Sequence, residues 1–174
     1  MDFILTQSLI KKMKMSKFDI RLNLLFIGTF FSFISIDLII KSFGVYGTYL
    51  PNFVLSIILS FAFHKPIQLW LAALAIIIGE SSVSTTPGLM SFLIIAAYIF
   101  VSRALPKGGL KYRNFHMIVF MLITIVIYSF KILYLYFEMQ RVEVAIIIIK
   151  MLVTIIIFPL FYIFIEKFLK LFKC

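Results

Sequence analysis

The chain has 174 residues, of which 63% are apolar and 14% charged, and 21 are Phe; its mean hydropathy is +1.14. Soluble domains run nearer ~45–50% apolar and ~25% charged, and a globule of this size leaves about a third of its unfolded surface in water, so lipid is the expected solvent and disorder is excluded. The net charge of +10, from 17 Lys and Arg against 7 Asp and Glu, would suggest nucleic acid in a soluble protein, but here most basic residues cluster beside apolar runs, where they suit anionic lipids at a cytoplasmic face.

In chain order, the first 21 residues place Leu5, Leu9 and Met13 at i+4 spacing among Lys11, Lys12 and Lys14. This segment reads either as an interfacial amphipathic helix or as a frayed tail. The following run, Leu22–Ile40, is about 19 residues long, exceeds the ~7–15 of a cleaved signal peptide and lacks a small-residue cleavage site, so it reads as an uncleaved signal-anchor. Gly28 and Ser32 on it are spaced i, i+4, a weak helix-packing signal.

The second run, Val45–Phe63, is interrupted by Pro51-Asn52. Pro51 suits the first turn of a helix, and a helix from Pro51 to Phe63 would be only about 20 Å long, too short to cross a bilayer alone. Either Val45–Leu50 continues it as a broken segment, or it sits beside a polar, protein-lined depression. His64-Lys65-Pro66 then makes a tight hairpin into the third run, Ile67–Ser81. Thr86 as N-cap and Pro87 at the first helical position open the fourth, Pro87–Ser102. The fifth and sixth are Phe115–Phe137 and Val144–Ile165, followed by a basic tail. The expected organisation is a basic segment 1–21, a membrane domain 22–166 and a tail 167–174, giving an all-α polytopic protein of six spans.

Loop charge supplies an independent test through the positive-inside rule. With a cytoplasmic N-terminus, thirteen basic residues face inward: Lys11, Lys12, Lys14, Lys17 and Arg21, then Lys65, then Arg103, Lys107, Lys111 and Arg113, then Lys167, Lys170 and Lys173. Only Lys41 and Arg141 lie in outer loops. An odd number of spans would destroy this asymmetry, so both termini are expected to be cytoplasmic.

Four ionisable residues fall within spans: Asp37, Glu80, Lys131 and Lys150. Charges at the bilayer centre cost roughly 2.5–3.5 kcal/mol each on insertion scales. Helix rise puts the first three about 20–24 Å from the cytoplasmic start of their spans, and Lys131 and Lys150 are mirror-placed about the turn at Gln140-Arg141. A shared layer of charge near the outer surface follows, either as a partner-binding site or as snorkelling lysines. Tyr128, Lys131, Tyr134 and Glu138 on the fifth span, and Glu143, Lys150 and Thr154 on the sixth, would each form a polar stripe.

No catalytic set can be assembled. The two histidines, His64 and His116, and the one cysteine, Cys174, are too few for a metal centre, and there is no phosphate-binding loop or nucleophile with its base. The expectation is a protein with no enzymatic activity, metal or cofactor.

The stretch Leu50-Pro51-Asn52-Phe53-Val54-Leu55 resembles the opening of the second span in the MreD family of bacterial rod-shape-determining membrane proteins. His64-Lys65-Pro66 resembles that family's short inner turn, and Gly79-Glu80 followed by Gly88 and Tyr98 resembles its acidic-to-glycine stretch. Phe158-Pro159-Leu160 leading to Glu166-Lys167 resembles its late proline and basic tail. This chain departs at Leu50, where a basic residue is usual, at Glu80 for Asp, at Ser84 for Gly and at Thr154 for Asn. The resemblance marks Pro51, Asn52, Pro87, Gly88 and Pro159 as structural positions. It implies a non-enzymatic scaffold of the cell-elongation machinery, acting with MreC and through it with MreB, RodA and a penicillin-binding transpeptidase in lateral peptidoglycan synthesis. It also implies a fold shared with the S-components of energy-coupling-factor transporters. The alternative is a vitamin-uptake S-component, which would need a ring of placed polar and aromatic groups around an outer hollow.

Overall fold

The computed structural model describes residues 2–42, 50–83, 87–107, 112–138 and 144–172, with side chains of 2–19, 41, 82–83 and 87 left aside. Six α-helices follow in order: α1 (Asp2–Ser42), α2 (Phe53–His64), α3 (Leu69–Val83), α4 (Pro87–Ala104), α5 (Arg113–Phe137) and α6 (Val144–Leu171). Three of them are long and apolar enough to cross a membrane: Ile20–Ile40 within α1, then α5 and α6. The apolar helices α2, α3 and α4 are shorter. The chain is thus an all-helical membrane protein.

α2 is the axis. It packs against α1, α3, α4 and α6, and every residue from Val54 to His64 is buried. A helix apolar on all sides needs neighbours on all sides. Phe53–His64 is apolar but for Ser56, Ser60 and His64, whose face is buried like the rest, and it lacks the length to span lipid, so it sits inside a jacket of other helices. The jacket helices have two faces. α5 buries His116, Phe120, Thr124, Ile127, Tyr128 and Leu135, while Ile118, Leu122, Val126, Phe130, Leu133 and Phe137 are exposed. Both sets recur every three or four residues, so one face meets protein and the other meets lipid. On α1 the inward stripe is Leu22, Phe26, Phe30, Ile34 and Asp37, and Phe26 meets Phe61 of α2 edge to face, ring centroids 5.2 Å apart.

Gly79 of α3 marks a close approach of three helices in the core. A Cβ placed there would stand 2.7 Å from Val54 Cγ2 of α2 and 2.9 Å from Phe30 Cζ of α1. Gly28, by contrast, faces no neighbour: a Cβ there meets nothing within 4 Å. The Gly28/Ser32 spacing therefore does not mark a packed helix interface, and Gly79 does.

Several sequence expectations shift. Pro51 lies outside the helix rather than in its first turn, because Asn52 is the N-cap and α2 starts at Phe53. α1 runs unbroken from Asp2, so the basic N-terminal segment is neither a separate interfacial helix nor a frayed tail. α6 likewise continues past Ile165 to Leu171, passing through Pro159, whose missing N–H leaves the Ile155 carbonyl without its usual donor. Glu166 and Lys170, one turn apart in this extension, form an ion pair of 2.7 Å. Pro87 opens α4 as expected; Thr86, Ser84, Arg141, Glu143 and Cys174 lie outside the described residues.

Candidate functional site

A helix of twelve residues is about 18 Å long, well short of a ~30 Å hydrocarbon core. Both of its ends carry backbone groups that the helix cannot satisfy, and both are buried in protein. Protein must supply the partners, and polar side chains gather at each end of α2.

At the N-terminal end the organiser is Asn52, 3% exposed. Its Oδ1 accepts from the Leu55 N–H at 2.8 Å, which caps the helix. Its Nδ2 donates to Glu80 Oε1 of α3 at 2.9 Å. Its backbone N–H donates to Thr154 Oγ1 of α6 at 2.9 Å. Thr154 in turn donates to the Lys150 carbonyl one turn earlier, at 2.7 Å, and Tyr128 of α5 brings its hydroxyl to 3.5 Å from Thr154 Oγ1. One residue thus fastens α2 to α3 and α6, with α5 alongside. Glu80 is 1% exposed and Thr154 fully buried.

Of the four ionisable residues expected to form a layer, Asp37 and Glu80 are buried and Lys131 and Lys150 are half-buried. Glu80 enters the network through its side chain; Lys150 enters through its carbonyl. The expected stripe on α5 splits, with Tyr128 inward and Tyr134 and Glu138 exposed, because Tyr128 and Tyr134 are six residues apart and so about 120° off one face after ordinary helix twist. Pro51 is buried beside Asn52, whereas Gly88 is exposed and Pro159 half-buried.

The C-terminal end of α2 holds a second polar cluster that sequence reading missed. His64 Nε2 lies 3.1 Å from the Tyr162 carbonyl of α6, which can only accept, so His64 donates there. His116 of α5 places Nε2 3.0 Å from the Pro106 carbonyl and Nδ1 2.8 Å from the Tyr162 hydroxyl. The carbonyl fixes Nε2 as the donor, so in the neutral ring Nδ1 accepts from Tyr162. The His116 ring stacks on Phe63, centroids 4.6 Å apart. Lys107, beyond the end of α4, donates to the Ala62 carbonyl of α2 at 3.2 Å and to the Val101 carbonyl of α4, capping two helix ends with one ammonium. Burial holds its pKa below the usual lysine value. Tyr98 donates to the Ile67 carbonyl in the α2–α3 turn.

The signal available in the sequence was that His64 closes one apolar run and His116 opens another, at ends that the loop charges assign to the same side. What it lacked was Tyr162, indistinguishable there from the other aromatics of α6. Tyr162→Phe removes the donor to His116 and leaves a buried acceptor unmet, so it should cost about 1–3 kcal/mol. The readout is the melting temperature in detergent; an unchanged value would contradict the assigned bond.

No group of three His, Cys, Asp or Glu that could bind a metal occurs among the described residues. What the clusters do chemically is satisfy backbone ends and lock helices together. No family model, curated protein or solved structure matches the chain.

Proposed function

We propose that the protein is a non-enzymatic membrane scaffold of the MreD type, which helps direct lateral peptidoglycan synthesis and maintain rod shape through MreC. The observation that carries this reading is the convergence on Asn52. Pro51-Asn52 and Gly79-Glu80, two of the stretches that carry the family resemblance, are far apart in sequence and meet at one end of α2, where Asn52 also bonds Thr154, a position at which this chain departs from the family's Asn.

In this reading all six helices lie within the membrane, with α2 enclosed by the others, as in S-components of energy-coupling-factor transporters. The thirteen-to-two distribution of basic residues supports an orientation with both termini in the cytoplasm and the Asn52 cluster toward the outside, in this reading across a bacterial inner membrane. The partners are MreC and, through it, MreB, RodA and a penicillin-binding transpeptidase.

Depletion of the protein tests it. Rod-shaped cells are expected to round up within a few generations and to recover on re-expression; unchanged shape together with a new vitamin requirement would overturn the scaffold in favour of the transporter component.

A further inference from the structure

Outside the core, a groove of about 550 Å³ runs between α1 and α6. Its α1 wall is Leu24, Leu25, Gly28, Thr29 and Ser32; its α6 wall is Phe164, Phe168 and Phe172. The three rings follow one another a turn apart, with centroids 4.5 and 5.7 Å apart. The groove has one closed and one charged end. At Phe33 the helices come together, its ring centroid 4.8 Å from that of Phe161 and 6.0 Å from that of Phe164. At the other end stands Arg21, exposed.

We infer that this groove binds one anionic phospholipid, with an acyl chain between α1 and α6 and the phosphate on Arg21. Above Arg21 its walls are apolar but for Thr29 and Ser32, whose hydroxyl protons are spent on their own helix, on the Leu25 and Gly28 carbonyls, both at 2.8 Å, so they leave no proton to donate to an anion. From Arg21 to Phe33 the groove is about 18 Å long, close to one leaflet of a ~30 Å core. A partner helix would need the groove to continue through both leaflets, and Phe33 with Phe161 shuts it at mid-depth. The positive mouth complements an anionic headgroup, and the volume is that of a small-molecule site. Which leaflet supplies the lipid rests on the orientation in the proposed function; the site itself does not.

The test is native mass spectrometry of the full chain released from nanodiscs of equal dioleoyl phosphatidylglycerol and dioleoyl phosphatidylcholine. One phosphatidylglycerol per chain is expected to be retained in preference to phosphatidylcholine. Gly28→Leu has open space for its side chain, so it should keep the wild-type melting temperature while abolishing retention. Arg21→Gln should keep retention of a lipid but lose the preference roughly fivefold, the worth of one basic residue near an anionic surface. Equal retention of both lipids by wild type, or undiminished retention by Gly28→Leu, would overturn the inference, as would a photoreactive residue at Ser32 that captures a second copy of the chain and no lipid. Because the discs are symmetric and contain no partner, this result and the cell-shape result can fail separately.

Discussion

Asn52→Ala is expected to lower the stability of the folded protein by about 2–4 kcal/mol, the sum of a lost helix N-cap at about 1 kcal/mol and a buried acceptor on Glu80 deprived of this donor at roughly 1–3 kcal/mol. The substitution acts at the point where α2, α3 and α6 are tied together, in a place where water cannot replace the lost bonds. The backbone bond to Thr154 does not involve the deleted side chain, so the variant should remain folded and measurable. A sharper form uses charge. Asn52→Asp keeps the oxygen that caps Leu55 but replaces the donor 2.9 Å from Glu80 Oε1 with a second acid, and should destabilise more than Asn52→Ala. Adding Glu80→Gln restores a donor–acceptor pair in the reverse sense, because the new amide can donate to the new carboxylate. The double variant should therefore be more stable than Asn52→Asp alone, with a coupling of about 0.5–3 kcal/mol. Midpoints of denaturation in mixed detergent micelles give all four corners of the cycle; additive effects would show that the two side chains do not act on each other.

The second large effect is at Gly79. Gly79→Ala puts a methyl 2.7 Å from Val54 Cγ2. Val54 is β-branched, stiff at χ1 and buried on the central helix, so it cannot swing away as the tip of a long side chain would. Overpacking of this kind costs typically about 1–3 kcal/mol. The Phe30 ring, 2.9 Å from the same point, closes the other route of relief. Val54→Ala deletes the clashing atom, so the pair Gly79→Ala with Val54→Ala should recover part of the loss even though Val54→Ala alone removes core volume. The melting temperatures of the two single variants and the double variant decide it: a double variant no more stable than Gly79→Ala would place the strain elsewhere.

These two positions show what the sequence could and could not disclose. The break at Pro51-Asn52 and the shortness of the run that follows were visible, and they lead directly to a helix end that needs polar company. The sequence left open whether that company came from a continued broken segment or from a protein-lined polar site. The Asn52, Glu80 and Thr154 bonds supply a protein-lined polar site; the broken segment would involve residues 45–49, which lie outside the described residues. That Glu80 would be the partner was half legible: helix rise placed it at the same depth as Asp37, Lys131 and Lys150, but depth says nothing about rotation around the helix. Rotation is decided by packing, and it turned Tyr128 inward and Tyr134 outward on the same helix.

The same limit explains the other end of α2. A histidine at the close of an apolar run reads as a turn residue, and the run itself gives no reason for it to be buried. Only once α6 lies against α2 does the Tyr162 carbonyl come within reach of His64 while the Tyr162 hydroxyl reaches His116. Small residues mislead for a related reason. Gly28 and Gly79 look alike in a membrane helix, yet one faces a groove and the other a contact under 3 Å, a difference set by which helices stand nearby and not by local spacing.

The polar ends of α2 have a common physical origin. A short helix placed wholly inside other helices exchanges lipid contact for protein contact on its sides, and its exposed peptide groups must then be met at both ends. Asn52 does this at one end and Lys107, on the Ala62 carbonyl, at the other. In the scaffold reading this locked centre leaves the outer faces of α1, α5 and α6, rich in exposed apolar side chains, free to meet lipid and partner helices without altering the core.

The scaffold reading stands or falls most directly on MreC. Crosslinking in intact membranes, followed by purification of the tagged chain and immunodetection of MreC, is expected to yield a covalent adduct of the two proteins; absence of that adduct from membranes that contain MreC, with rod shape unaffected by loss of the chain, would contradict it.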